Sequence, residues 1–579
     1  MKKCRFISGL PVVIVPAVLL GLALVLPYWG GKVTAFPKGS AATTDSSAGI
    51  RFADITQRAG IHFVHNTGAF GKRYLPETMG PGCAFLDYDN DGNPDIVLVN
   101  GSDFPGHKEK HTTLKLYHNH GNGTFTDVTA RSGLGIEMYG MGVAVGDYDN
   151  DGYDDVYVTG LGEAHLFHNE HNGTFKDVTQ AAGVNNTGYG ASAAWFDYDK
   201  DGKLDLFLTQ YVNWTEKNDI YCSLDGHHKS YCTPEAYGGE TCRLFHNLGN
   251  GRFEDVTGKA GIYDPTGKSL GVAVIDFDGD GWPDLAVSND TQPNKLYRNN
   301  HNGTFTEAGL KAGIAYSEDG IARGAMGIDE GDFDSSGRAS LAIGNFSNQM
   351  IGLYHNEGNG LFIDEAPSSS IGRASLLSLS FGLFFFDYDL DGLPDLFVAN
   401  GHIEPDIARI QPQVTYAQVP LAFHNTGNDQ FQEVGRKLGF TRAVVARGAA
   451  YADVNNDGAP DILMTTNGGP AYLFENAGPH GHALRIKTVG TRSNRDGIGA
   501  VVRVYAGARP EWQTVHSGSS YCSESEHVLT FGLGKAAEAE TVEITWPSGQ
   551  KDTLHNLKAG ATYTIEEGGK VLATKPFRK

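Results

Sequence analysis

Apolar and polar positions change over in short blocks along most of the chain, and no long amphipathic helical period develops. Cys83-Ala-Phe-Leu and Ile96-Val-Leu-Val are two runs of strand formers, and the acidic stretch Asp87-Tyr-Asp-Asn-Asp-Gly-Asn-Pro-Asp95 lies between them. Short apolar runs bounded by turn residues predict buried strands, so the acidic stretch predicts a tight loop joining two of them. A second phrase follows: Leu116-Tyr-His-Asn, then Gly123-Thr-Phe-Thr-Asp-Val, with Asn122-Gly123 at the turn. It predicts a hairpin. Four strands, A to D, then make one unit: A, acidic loop, B, C, Asn-Gly turn, D.

Both phrases recur. Complete acidic loops hold Asp87, Asp89, Asp91 and Asp95; Asp147, Asp149, Asp151 and Asp155; Asp197, Asp199, Asp201 and Asp205; Asp276, Asp278, Asp280 and Asp284; and Asp387, Asp389, Asp391 and Asp395. A further copy has Asp453, Asn455, Asp457 and Asp461, with one carboxylate replaced by an amide. The most degraded copy keeps Asp332 and Asp334, then Ser336, Gly337 and Ser340, and is the one expected to be empty. The hairpin phrase restarts at Leu166, Leu244, Leu296, Leu353, Ala422 and Leu473, the last without its second half. A period of about 50 to 80 residues with four strands per unit predicts propeller blades. Arg51-Phe-Ala-Asp-Ile-Thr matches the missing D strand, so the N-terminal end of the array is expected to complete the seventh blade. Closure of this kind protects the sheet edges.

The spacing of carboxylates at loop positions 1, 3, 5 and 9 suits calcium, a hard cation that takes about six to eight oxygens. Glycine at position 6 permits the bend, and the carbonyls of Asn93, Tyr153, Lys203, Trp282, Leu393 and Ala459 at position 7 are further expected ligands. An EF-hand would need a Glu at position 12, where this chain has Leu98. Five to seven structural Ca2+ sites are expected. The formal charge of −22 argues against a nucleic-acid partner, and divalent ions in the acidic loops would offset much of it.

Lys2, Lys3 and Arg5 precede an apolar run to about Trp29, so residues 1–35 are expected to be a cleaved signal peptide or a retained anchor, with 36–50 a linker. Export is expected either way, with membrane contact only through that segment if it is uncleaved. Of six cysteines, Cys4 lies in this segment, Cys222 and Cys232 are the expected disulfide with Cys242 competing, and Cys83 and Cys522 are expected buried thiols.

Together the loops and hairpins of residues 51–477 resemble FG-GAP/VCBS repeats of integrin α-chain-type propellers. Asn494-Arg-Asp-Gly-Ile-Gly-Ala, Gly518-Ser-Ser-Tyr, Phe531-Gly-Leu-Gly and Trp546-Pro-Ser-Gly resemble the ASPIC/UnbV domain, here 478–570 with a tail at 571–579. That domain order is similar to the cartilage acidic protein family and its bacterial relatives. The resemblance implies calcium binding and an adhesion or interaction role. The expected fold is all-β: a seven-bladed propeller closed by an N-terminal strand and followed by a small β-rich domain.

Strand alternation places acidic loops and C-D hairpins on one face, and B-C and D-A connections on the other. Long loops on that second face are 102–112, 212–241, 402–419 and the connector 56–81, and binding is expected there. Insertions 212–241 and 402–419 are expected to flank the channel mouth, and 214–240 to be removable without loss of the fold. His227-His228 and His402, Glu404 and Asp406 are ligand or acid-base types, read here as polar surface loop. The repeated His118, His168, His246, His355 and His424 are read as a strand position rather than a metal ring, since Arg298 and Glu475 replace them in other copies. Asn122, Asn172 and Asn302 open Asn-Gly-Thr sequons but are read as turn residues. The expected function is a monomeric, exported calcium-binding scaffold for an extracellular protein or glycan. The alternative is a glycan-active lyase or hydrolase, or a secondary-metabolism enzyme, with its site on the second face.

Overall fold

The computed structural model describes residues 49–507 and 510–578. The targeting segment 1–35, Cys4 and residues 36–48 of the linker lie outside the described residues. Seven four-stranded antiparallel sheets form the blades of a propeller. Their inner strands are 83–86, 140–146, 190–196, 269–275, 325–331, 380–386 and 446–452, and each contacts the inner strand of both neighbours. The seventh sheet runs 446–452, 461–466, 472–477 and then Arg51–Asp54 as its outer strand, with Phe52 opposite Asn476. The ring closes as the sequence predicts.

A ring of buried asparagines fastens blade to blade. The last residue of the Leu-Tyr-His-Asn phrase is buried in all seven copies. Its Nδ2 donates to the carbonyl of loop position 2 in the preceding blade: Asn169 to Tyr88, Asn247 to Tyr148, Asn299 to Tyr198, Asn356 to Phe277, Asn425 to Phe333, Asn476 to Tyr388 and Asn119 to Val454, all at 2.8–3.0 Å. The amide that donates is desolvated, so each contact satisfies a carbonyl that would otherwise be orphaned at the blade junction.

The C-terminal region is two further four-stranded sheets, ordered 529–534, 482–489, 561–566, 570–576 and 510–514, 501–505, 538–545, 551–558. Residues 570–576, beyond the boundary expected from sequence, pair with 561–566, so the segment read as a tail is largely a strand of this domain. Leu484, Ile486, Val502, Val542 and Trp546 of its core are continuous with Trp195, Tyr148 and Leu206 of blades 2 and 3.

One segment of this domain, 517–526, enters the propeller channel. The Ser520 carbonyl accepts from Ile328 N (3.0 Å), Cys522 O from Val143 N (3.2 Å) and Glu524 O from Phe85 N (3.1 Å). Ser520 Oγ donates to Ala449 O (2.8 Å) and Cys522 N to Ser192 Oγ (3.0 Å). The Tyr521 ring meets Phe381 at 4.9 Å, and its hydroxyl reaches Met79 O of the connector at 3.1 Å. The channel is therefore a packed core rather than a pore.

Candidate functional site

In the five complete loops, position 9 is the first residue of strand B, buried where the chain leaves the turn. Its carboxylate accepts the backbone N–H of the asparagine that ends the hairpin phrase, as in Asn119 N to Asp95 Oδ1 and Asn247 N to Asp205 Oδ1, both 2.7 Å. Position 1 accepts from the N–H groups of positions 5 and 6: Asp151 N and Gly152 N donate to Asp147, Asp201 N and Gly202 N to Asp197, and Asp280 N and Gly281 N to Asp276. Position 5 accepts from position 7, in Asn93, Tyr153, Lys203, Trp282 and Leu393 alike. Gly92 has φ +79°, the left-handed conformation the bend requires.

These bonds leave one atom unaccounted for. At position 3, Oδ1 of Asp89, Asp199 and Asp278 is buried and has no hydrogen-bond partner. The same orphan in three separate loops is what a cation-binding turn leaves when only protein atoms are counted. The donor set of carboxylates plus a free position-7 carbonyl is all oxygen, which suits a hard divalent ion such as calcium. The residues present fit it.

The seventh-blade loop preserves the frame, with Asp457 N and Gly458 N on Asp453 and Ala459 N on Asp457. The fifth keeps Ser336 N and Gly337 N on Asp332, and Ser340 Oγ replaces the position-9 acceptor for Asn356 N at 3.0 Å. Its turn survives with the carboxylates of positions 5 and 9 replaced by serines. The repeated histidines join their own loops: His118 Nδ1 lies 3.3 Å from both Asp89 and Asp95, and His246 Nδ1 3.0 Å from Asp205. Arg298 takes that place in blade 4, 2.6 Å from Asp278.

The C-terminal domain covers this face. Lys487 Nζ is 3.4 Å from Asp87 and Arg485 3.3 Å from Asp453. Asp496 Oδ2 accepts Asp147 N at 2.8 Å, and Arg495 N donates to Asn150 Oδ1 at 2.7 Å. Three of the four phrases that carry the ASPIC/UnbV resemblance thus make propeller contacts: the Asn494 phrase here, the Gly518 phrase in the channel, and Gly532, which abuts the Asp387 carboxylate.

On the opposite face the insertions meet over the channel mouth instead of flanking it. Arg73 of the connector pairs with Glu404 (3.0 Å) and Asp406 (2.9 Å) of the blade 6 insertion. Tyr231 of the blade 3 insertion donates its N–H to Glu404 (3.1 Å) and its hydroxyl to Glu77 (2.9 Å). Beneath them Arg447 is buried, donating to carbonyls of Thr78, Gly401 and His402, with Phe381 under its guanidinium at 4.0 Å. Burial, then the nearby Arg447 charge, push His402 down to about 4 and His65 to about 3. His402 is therefore neutral near pH 7, and it, Glu404 and Asp406 serve the cap.

Cys222 and Cys232 form a disulfide, while Cys242, Cys83 and Cys522 are buried free thiols. Trp214, Cys232 and Tyr237 share a buried cluster with Tyr521 and Cys522 of the channel segment. The 214–240 insertion is thus anchored in the core by these side chains while most of it is exposed, so its removal is expected to cost stability as well as surface. His228 is exposed and paired with Asp225. Asn122, Asn172 and Asn302 each accept from the backbone of the threonine two residues on, at 3.0–3.1 Å, as turn residues do. A cleft of about 520 Å³ opens between the blade 1 and blade 3 insertions, lined in part by Phe104, Lys108, Glu137, Glu163, Trp214 and Glu240. Among the described residues no helix is long and apolar enough to cross a membrane.

The buried asparagines and the channel segment are what the sequence reading missed. The asparagine was signalled by its constancy across copies whose preceding residue varies between His, Arg and Glu.

The FG-GAP-like repeat family matches residues 87–158, 147–208, 217–287 and 276–343, and the ASPIC and UnbV family matches 490–572. Cartilage acidic protein 1 of Homo sapiens is 27% identical over 324 residues, covering 54% of this chain and 46% of that protein. The Mus musculus protein is 26% identical over 312 residues, covering 51% and 44%. The chain thus matches less than half the length of these relatives. A lectin structure from Agrocybe aegerita is 15% identical, covers 68% of this chain and 93% of its own, and has a TM-score of 0.37.

Proposed function

We propose that this chain, which carries FG-GAP-like repeats and an ASPIC and UnbV domain and is homologous to cartilage acidic protein 1, is an exported, calcium-loaded interaction scaffold. Its partner, an extracellular protein or glycan, docks on the insertion face. The observation that carries this reading is the division of the two faces: the chain's own C-terminal domain occupies the acidic-loop face, while the other is built from four long connections. On that face Tyr221, Leu224 and Ile410 are 64%, 49% and 47% exposed, and aromatic and apolar side chains left in water on a rigid cap are typical of recognition surfaces.

Calcium is a structural element in this proposal. Clustered carboxylates repel one another until a cation sits among them, and the orphaned position-3 oxygens support that use. Export is supported by the Cys222–Cys232 disulfide, a bond that persists in oxidising compartments.

The test is a glycan array and an extracellular-fraction pull-down with the full chain, with and without calcium, comparing wild type with Tyr221→Ala/Leu224→Ala/Ile410→Ala. The proposal expects the triple variant to melt like wild type and to bind at least tenfold more weakly. Retained affinity, with loss instead in a Val571→Asp/Leu572→Asp variant of the C-terminal domain, would move the docking site off the insertion face.

A further inference from the structure

The acidic loops are not equally covered. In blades 1 to 4 the position-3 aspartates Asp89, Asp149, Asp199 and Asp278 are half-buried or exposed. In blade 6 the first half of the turn and its closing aspartate are out of water, Asp387 being 6% exposed, Asp389 1%, Leu390 3% and Asp395 1%, while 391–394 are half-buried. The C-terminal domain is the reason. Gly481 N donates to Asp389 O at 3.1 Å and Gly534 N to Leu390 O at 2.9 Å. A Cβ at Gly532 would overlap Asp387 Oδ2 and the Leu390 backbone, so only glycine lets the strand lie this close.

What the domain brings to each loop also differs. Blades 1 and 7 receive cations, Lys487 against Asp87 and Arg485 against Asp453. Blade 2 receives Asp496, but its Oδ2 is taken up by Asp147 N. Blade 6 receives another carboxylate, Glu511, on the strand Pro510–Thr514. Oε1 of Glu511 accepts from Gln513 Nε2 at 2.8 Å, while Oε2 is buried with no hydrogen-bond partner. Glu511 and Asp387 line one cavity of about 70 Å³ with Glu330 and Asp332. His516 is the one basic side chain among its described lining residues. Asp387, Glu330 and the Oε2 of Glu511 are buried, and buried carboxylate oxygens around one cavity call for a cation or a proton between them.

We propose that Glu511 is a cross-domain carboxylate of the blade 6 cation centre, so that the ion held by the Asp387–Asp395 turn also ties the C-terminal domain to the propeller. At blades 1 and 7 the domain brings a cation to the loop and at blade 2 a carboxylate already bonded to the backbone; at blade 6 it would bring a ligand for the ion itself. The inference rests on the calcium part of the proposal above and is independent of where a partner docks.

Native mass spectrometry of the full chain counts its calcium ions, and calorimetry measures the calcium-dependent rise in Tm. The variants are Glu511→Gln, Asp389→Asn, the two combined, and Asp89→Asn in blade 1 as a control for loss of an ordinary loop ion. The expected result is one tightly held ion fewer for Glu511→Gln, the same loss for Asp389→Asn, and no further loss when they are combined. Asp89→Asn combined with Glu511→Gln loses two. An unchanged calcium count and unchanged calcium-dependent Tm gain in Glu511→Gln would make Glu511 a protonated structural carboxyl and overturn the proposal. A readout on wild type needs no variant: calcium removal should speed amide exchange at Gly481 and Gly534 more than at Ala500 and Val515, within the domain. Equal exchange at all four would also overturn it. If wild type binds no calcium at all, the calcium reading itself fails, an outcome distinct from a Glu511 variant that behaves like a calcium-loaded wild type.

Discussion

At the residue scale, side chains with the same phrase position have unequal roles. His246 lies beside its loop on a part-exposed strand position, where a single ion pair contributes about 1 kcal/mol or less. Asn247, one residue on, is buried, donates to Tyr148 O (2.8 Å) and Leu204 O (2.9 Å), and accepts from Gly249 N (2.9 Å). Removing it orphans two buried carbonyls. Asn247→Ala is expected to cost about 2–4 kcal/mol in urea unfolding, and His246→Ala less than about 1 kcal/mol. The reverse order would mean the blades are held by the histidine-loop contact instead. The histidine draws attention in the sequence because its chemistry is versatile; the asparagine matters because its geometry recurs at every blade junction.

At the element scale, the blades were legible because each strand, turn and hairpin carries its own local signal: apolar runs for A and B, Asn-Gly for the C-D turn, aspartates for the A-B turn. The closing strand was legible because Phe52 repeats a phrase. The channel segment was not. Gly518-Ser-Ser-Tyr-Cys-Ser has neither period nor apolar run, since it lies among seven inner strands and is held mainly through its backbone and small hydroxyls. Nor could the meeting of the 212–241 and 402–419 insertions over the mouth be read: it rests on a single backbone contact, Tyr231 N–H to Glu404, and on Arg73 from a third segment. The fit of the channel segment is tight, and a Cβ at Gly82 would overlap the Cys522 carbonyl. Gly82→Ala is expected to dislodge the segment and cost about 3 kcal/mol, with limited proteolysis cutting within 517–526. A protected segment and an unchanged melt would mean that the channel is more compliant than its packing implies.

At the scale of the whole molecule, two domains distinct in sequence share one structure. The C-terminal core runs into blades 2 and 3, its channel segment reaches the connector on the far side, and it packs against the acidic loops of blades 1, 2, 6 and 7. The acidic loops thus lie partly under the C-terminal domain, most deeply in blade 6, and the insertion face is the surface proposed for partners. On the calcium proposal, the ions would stabilise the entire chain. Each ion at about a hundred times its dissociation constant adds about 2.7 kcal/mol, so five loaded sites should move the transition of a chain this long by roughly 10 °C.

Scanning calorimetry of the full chain, with calcium and again after chelation with metal loss verified by elemental analysis, tests this most directly. The account predicts a single cooperative transition that moves to markedly lower temperature when the ions are gone. An unchanged melt in verifiably metal-free protein, or two separate transitions in the calcium-loaded one, would contradict it.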